Sequence, residues 1–186
     1  MPMRKPLSIG LHGLLVALAA GLIYWPHSSM ATVLWVVWGA GLLALAIIDA
    51  RTGFLPDVLT LPMLGLGLII QFCPTTQTVG IEASLVGMLL GSLPLWLMAI
   101  IYRWRTGKDG LGLGDVKLVA AIGAWSGPSA IPLVMIISAT LGLIWGATMD
   151  SRKPWSRRRI AFGPFLVIGY AVSVLVSWYS GWLPWI

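Results

Sequence analysis

A short stretch in the middle of this chain combines charged residues with glycines: Lys108-Asp109-Gly110-Leu111-Gly112-Leu113-Gly114-Asp115-Val116-Lys117-Leu118. Two carboxylates, two ammonium groups and three glycines fall within these eleven residues. Charged groups are costly beside lipid, so a cluster of charges at the end of an apolar segment indicates a functional site. The predicted partner of this stretch is a second acidic segment, residues 49–57.

The chain has only six acidic residues, and Asp49 and Asp115 each adjoin an apolar run. Two carboxylates from different helices that lie within a few ångströms share a proton, because both cannot ionise at low cost. One carboxylate can then take a proton from water while the other protonates an amide carbonyl. This chemistry requires neither a metal nor a nucleophilic side chain. We therefore predict a two-aspartate hydrolytic site with no metal and no cofactor.

The glycines before Asp115 are candidates for contact with a substrate. Glycine lets another backbone approach closely and permits positive φ, and a glycine-rich segment that unwinds can pair with an extended peptide. We predict that Gly112 and Gly114 bind substrate. Lys117 is a third candidate, because its ammonium group could orient a carboxylate. A lysine that extends from the membrane interface toward water is an equally good interpretation of Lys117.

The composition indicates an integral membrane protein. The chain is 58% hydrophobic and 10% charged, whereas a soluble domain has about 25% charged residues. Eleven Trp and four Tyr suit a protein with many rings at membrane interfaces. The single cysteine, Cys73, excludes a disulfide within the chain and a cysteine-based zinc site. The net charge is +6, but the basic residues form short clusters between apolar runs, which is typical of membrane topology and not of nucleic-acid binding.

Seven apolar segments predict an all-α polytopic membrane bundle, with about seven transmembrane helices in a single membrane-embedded domain, residues 1–186. The segments are about residues 7–25, 31–48, 58–72, 81–102, 116–125, 130–149 and 160–183. The fifth is too short to span a membrane alone, so we expect its helix to begin earlier, near residues 110–114. The first is interpreted as a retained span, since no convincing cleavage site follows it.

The basic residues predict the orientation of the bundle. With seven crossings, all twelve Lys and Arg lie before the first span or after the second, fourth and sixth spans. The positive-inside rule makes this face cytoplasmic. The N-terminus is then cytoplasmic, the C-terminus lies on the opposite side, and Asp49 and Asp115 lie at the cytoplasmic boundary. The basic run 152–159 is predicted to anchor the chain to anionic membrane lipid.

Three ordered motifs resemble those of the type IV prepilin peptidases, the GxGD-type aspartic proteases of bacterial inner membranes. Residues 110–125, with the Gly112-Leu113-Gly114-Asp115 core, resemble the second catalytic motif of that family, and residues 49–62 resemble the first. Asp49 and Asp115 are 66 positions apart, in line with the family's layout. Residues 162–166, Phe-Gly-Pro-Phe-Leu, resemble a segment near the family's C-terminus. This last segment either shapes the site or simply breaks a helix.

The resemblance implies an endopeptidase that removes the short basic leader from prepilins or pseudopilins. Cleavage would follow a glycine, on the cytoplasmic side of the inner membrane, with Asp49 and Asp115 as the catalytic pair. Many members of the family also carry an N-terminal domain with paired cysteines, which accompanies N-methylation with S-adenosylmethionine. This chain resembles the shortened, peptidase-only members, so we expect no methyltransferase activity.

Other interpretations of these acids are open. Asp115 could cap its helix, and Asp49 could be a solvated acid paired with Arg51. Asp57 is a rival for the first catalytic position, although its place after Pro56 favours a helix cap. A related GxGD protease that acts on another precursor would carry the same residues. Outside the peptidases, the alternative is a small proton-coupled transporter or channel with Asp49 and Asp115 as the relay.

Overall fold

The computed structural model describes residues 29–73, 76–107, 112–148 and 161–180. Within these ranges the chain is entirely helical, as predicted, and contains no strand. The helices are α1 (Ser29–Thr52), α2 (Asp57–Ile69, continued by a 3-10 turn at Ile70–Phe72), α3 (Ile81–Thr106), α4 (Leu113–Ser126), α5 (Ala130–Thr148) and α6 (Gly163–Ser180).

The six helices coincide with the second to seventh apolar segments of the sequence. Helix α4 begins at Leu113, within the range predicted for its start. Helix α1 continues past Asp49 to Thr52, so Asp49 lies inside a helix, one turn from its end. The segment 7–25 and the basic run 152–159 lie outside the described residues. A seventh helix and the membrane orientation therefore remain predictions.

The lengths and surfaces of the helices fit a membrane protein. Among the described residues, three helical stretches are long and apolar enough to cross a membrane: Thr32–Thr52, Ile81–Thr106 and Ala130–Thr148. Two shorter apolar stretches are Asp57–Phe72 and Gly163–Tyr179. Large apolar side chains are exposed along α3, among them Leu89, Leu93 and Leu97. Such a surface is suited to contact with lipid tails.

Helix α4 forms the core of the bundle. Every residue from Asp115 to Ser126 is buried except Lys117. Helix α3 packs antiparallel to α4, with Gly87 against Gly123, so closely that a Cβ on Gly123 would overlap the carbonyl group of Gly87. Small residues at such contacts let helices associate through close packing, which is how helices commonly pair in membranes.

A cluster of aromatic rings joins α1, α4 and α6. Trp38 stacks on Trp125, with ring centroids 4.5 Å apart and an interplanar angle of 15°. The Tyr170 hydroxyl oxygen accepts hydrogen bonds from Trp38 Nε1 and Ser126 Oγ, each at 3.1 Å. Trp125 Nε1 donates to the carbonyl oxygen of Met63 at 2.8 Å. These buried rings thus bury apolar area and satisfy their polar atoms at the same time.

The buried side chain of Gln71 organises the end of the bundle to which α4 runs. Its Oε1 accepts hydrogen bonds from the backbone N–H groups of residues 78–80, at 3.1, 3.3 and 3.2 Å. The hydroxyl groups of Thr78 and Ser84 donate to carbonyl oxygens in the last turn of α4, at 3.1 and 2.5 Å. This end of α4 is therefore firmly held.

Candidate active site

The two predicted catalytic acids lie at the opposite end of the bundle, where α1 ends and α2, α4 and α6 begin. Asp49 lies in the last turns of α1 and Asp115 in the first turn of α4. Both residues are buried, with only 4% and 9% of their surface exposed. Aspartate is rarely buried unless it has a partner or a function. The burial of Asp49 also shows that its interpretation as a solvated acid is wrong.

Asp49 is held by the start of α6. The backbone N–H of Gly163, the first residue of α6, donates to Asp49 Oδ2 at 2.8 Å. The first N–H groups of a helix lack partners within the helix, and the positive end of the helix dipole favours an anion there. A Cβ at position 163 would lie 2.8 Å from Asp49 Oδ2, so only glycine fits without a shift. The Phe-Gly-Pro segment is therefore in direct contact with the site.

Phe162 fixes the position of Gly163. Its carbonyl oxygen accepts hydrogen bonds from the N–H groups of Phe165 and Leu166, at 3.0 and 3.1 Å. Its ring packs against Gly142 of α5, where a Cβ would lie 3.1 Å from the ring. The glycine on α5 thus makes room for the ring that anchors the start of α6.

Asp115 has different surroundings. Its backbone N–H donates to the carbonyl oxygen of Gly112 at 3.1 Å. Gly112 is the N-cap of α4, so the interpretation of Asp115 as the cap is wrong. A Cβ on Gly112 would lie 3.0 Å from Asp115 Oδ2. Within the described part of the chain, no group donates a hydrogen bond to the Asp115 carboxyl group.

The two acids lie at the same end of the bundle, on helices that contact each other through aromatic side chains such as Trp38 on Trp125 and not through close approach of their backbones. Every Cα atom of α1 is more than 8 Å from every Cα atom of α4. The two carboxyl groups thus lie at one end of the bundle on well-separated backbones.

Lys117 forms an ion pair with Asp57. Its Nζ lies 2.6 and 2.7 Å from the two carboxylate oxygens of Asp57, and both side chains are partly exposed. Asp57 is the first residue of α2, Pro56 is the N-cap, and no side chain makes a capping hydrogen bond there. The prediction that Asp57 caps its helix is therefore wrong, because its carboxylate instead binds Lys117.

Gly114 packs against a residue that the sequence reasoning missed. A Cβ on Gly114 would lie 2.8 Å from the Cβ of Leu55, and Leu55 is only 3% exposed. An apolar residue within the short connection 53–56 was the signal that could have identified this contact. Gly163 lies within the segment 162–166 that the sequence offered as shaping the site, but its hydrogen bond to Asp49 was not predicted.

The described residues include no group of three or more His, Cys, Asp or Glu that could hold a metal ion.

The fold and the site together define the class of this chain. It is a helical membrane-type bundle with two buried aspartates from separate helices at one end.

Comparison with known proteins gives the family. The model of the type IV leader peptidase family matches residues 36–147. The chain therefore belongs to the type IV leader peptidase family, which confirms the resemblance drawn from the motifs. No solved structure matches the chain.

Curated relatives are named prepilin leader peptidase/N-methyltransferase. The chain is 37% identical to the one from Neisseria gonorrhoeae over 171 residues, which is 91% of this chain and 54% of the relative. It is 39% identical to the one from Dickeya chrysanthemi over 185 residues, 96% of this chain and 62% of the relative. It is 41% identical to the one from Burkholderia pseudomallei (strain K96243) over 137 residues, which is 73% of this chain and 43% of the relative. The chain spans about half the length of these relatives.

Proposed function

We propose that this chain is a membrane endopeptidase that removes the short basic leader from prepilins or pseudopilins, after a glycine, by a two-aspartate mechanism. The observation that carries the proposal is the burial of Asp49 and Asp115, on separate helices, at one end of the bundle. The names of the relatives and the family membership support prepilin processing. The proposal concerns the peptidase activity alone.

The different surroundings of the two acids suggest different roles. A hydrogen bond from a helix N-terminus to Asp49 favours its charged form. No described group donates to the Asp115 carboxyl group, so Asp115 is the better holder of the shared proton. Asp49 then takes a proton from water, and the water oxygen bonds to the scissile carbonyl carbon. Asp115 gives its proton to the carbonyl oxygen, which leaves a tetrahedral diol. Asp49 then passes the proton that it took from water to the amide nitrogen, a diol hydroxyl returns a proton to Asp115, and the C–N bond breaks to release the amine and the acid.

Gly112 is the strongest candidate for contact with the substrate backbone. It is exposed and lies beside the Asp115 carboxyl group. Gly114 and Lys117 contact Leu55 and Asp57 in the structure, and their predicted roles in substrate binding are untested. We also propose that the site lies at the cytoplasmic boundary of the inner membrane, where the protein contacts anionic lipid. A basic leader would lie near such a surface.

The proposal is tested with purified protein in lipid and a synthetic prepilin that carries a basic leader ending in glycine. Mass spectrometry of the product identifies the new N-terminus. We expect Asp49→Ala and Asp115→Ala to remain folded and inserted but to lose cleavage. Glu82→Gln is the control, because Glu82 is an exposed acid at the opposite end of the bundle. Normal cleavage by either aspartate variant would refute the assignment.

A further inference from the structure

We propose that two contacts to α4, one from the α1–α2 connection and one from the first residue of α2, position Asp49 relative to Asp115, which makes Lys117 a positioning residue and not a substrate ligand. The two contacts are Leu55 on Gly114 and Asp57 on Lys117, and together we call them the clamp. The effect on cleavage rests on the proposed peptidase function. The effect on the distance between α1 and α4 is independent of that function.

The acids need such a device because no Cα atom of α1 comes within 8 Å of a Cα atom of α4. The stack of Trp38 on Trp125 joins the two helices deeper in the bundle. Trp38 precedes Asp49 by eleven residues and Trp125 follows Asp115 by ten. At about 1.5 Å per helical residue, the stack lies roughly 15 Å from the acids. It therefore controls the positions of the carboxyl groups only weakly.

The connection 53–56 transmits the position of Asp49 because it is itself rigid. Gly53 has a φ of 65°, in the left-handed region, and its N–H donates to the Asp49 carbonyl oxygen at 2.7 Å. The Thr52 hydroxyl group accepts a hydrogen bond from the N–H of Phe54 at 3.3 Å. At the other end, the Pro56 carbonyl oxygen accepts from the buried Thr60 hydroxyl group at 3.0 Å. The connection is thus hydrogen-bonded to the helix on each side.

The two contacts of the clamp lie on either side of Asp115. Leu55 packs on the residue immediately before Asp115, and Asp57 binds the residue two positions after it. Contacts on both sides restrict rotation and sliding of the first turn of α4. A partly exposed ion pair adds little to stability. We therefore expect its loss to change the geometry of the site more than the stability of the fold.

The first experiment measures the geometry without any substrate. Spin labels are placed at Arg51→Cys and Leu113→Cys in a Cys73→Ser background, since both labelled positions are exposed. Pulsed EPR in lipid should give a narrow distance distribution for the unaltered ion pair. Asp57→Asn and Lys117→Met should each broaden it, and the charge-swapped variant Asp57→Lys/Lys117→Asp should restore it. Arg105→Met removes an exposed cation at the same end of the bundle and should leave it unchanged. Unchanged distributions in both single variants would overturn the proposal.

The second experiment separates positioning from substrate binding. Each single variant should lower kcat about five- to tenfold with little change in KM, because small misplacements of reacting groups are costly. The charge-swapped variant should recover most of the lost kcat. A raised KM in Lys117→Met, with normal cleavage by Asp57→Asn and no recovery in the swap, would instead make Lys117 a substrate ligand and refute the clamp. If the unaltered protein cleaves no prepilin, the proposed function fails while the EPR result still decides on the clamp.

Discussion

The backbone N–H of Gly163 donates a hydrogen bond to Asp49 Oδ2 at 2.8 Å, between residues 114 positions apart in sequence. The bond sets the first turn of α6 against a carboxylate in the last turns of α1. The position of that carboxylate therefore depends on α6 as well as on its own helix. A change at the start of α6 should disturb the site without altering either aspartate.

Gly163→Ala should lower prepilin cleavage at least about tenfold. The new Cβ would lie 2.8 Å from Asp49 Oδ2 and 3.1 Å from its Cβ and Cγ, so Asp49 must move. A hydrogen bond to a charged group contributes about 1.5–3 kcal/mol, and about 1.4 kcal/mol corresponds to tenfold in rate. The measurement is kcat/KM for leader removal. Gly65→Ala is the matched control, because a Cβ at Gly65 would meet nothing within 4 Å. Equal activity in both variants would contradict the role of Gly163.

Much of the helical arrangement could be predicted from the sequence because apolar runs have the length of helices. The start of α4 before residue 116 followed from the same argument, since ten apolar residues are too few for a crossing. The pairing of Asp49 with Asp115 was predicted from the scarcity of acids and from the motifs. The helix assignments use information that is local to one segment, whereas the pairing compares two segments that carry separate motifs.

The contacts that were missed depend on how segments pack. Asp57 looked like a helix cap because local preference favours Asp there, but a lysine on another helix binds its carboxylate. No local pattern reveals which lysine will lie opposite. The donor to Asp49 is a backbone N–H, which every residue except proline possesses, so residue type alone could not identify it. Leu55 acquires its role only when α4 presents a glycine to it.

Gly123→Ala should destabilise the fold through the α3–α4 contact. The new Cβ would overlap the Gly87 carbonyl group, which is backbone and cannot rotate away. Overpacking of this kind costs about 1–3 kcal/mol, so the midpoint of thermal unfolding in detergent should fall by several degrees. Tryptophan fluorescence reports the transition. The same Gly65→Ala control should keep its midpoint, and an unchanged midpoint for Gly123→Ala would show that the two helices can separate at little cost.

Gln71→Leu should destabilise the protein but leave the site intact. The substitution removes the acceptor of three backbone N–H groups, those of residues 78–80. A buried donor without a partner costs about 1–3 kcal/mol. The unfolding midpoint should therefore fall, while cleavage at low temperature stays near normal because Gln71 lies at the opposite end of the bundle from Asp49. Gln77→Leu, an exposed position in the same connection, is the control. Loss of cleavage by folded Gln71→Leu protein would reveal coupling between the two ends.

Tyr170→Phe should weaken the aromatic cluster by removing one shared acceptor. The hydroxyl oxygen accepts from both Trp38 Nε1 and Ser126 Oγ, and the indole N–H of Trp38 cannot rotate to find another partner. We expect a loss of about 1–3 kcal/mol in the free energy of unfolding. Tyr179→Phe removes a phenol hydroxyl group from a strongly exposed side chain of the same helix, and should have no measurable effect.

A double-mutant cycle tests the shared acceptor directly. Tyr170→Phe and Ser126→Ala each delete the hydrogen bond between these two residues, so their effects on the free energy of unfolding should not add. The double variant should be less destabilised than the sum of the single variants, because the second substitution removes a hydroxyl group that has already lost its partner. Strict additivity would mean that the two hydroxyl groups do not interact. In that case the stack of Trp38 on Trp125 would hold α1 and α4 together without help from this bond.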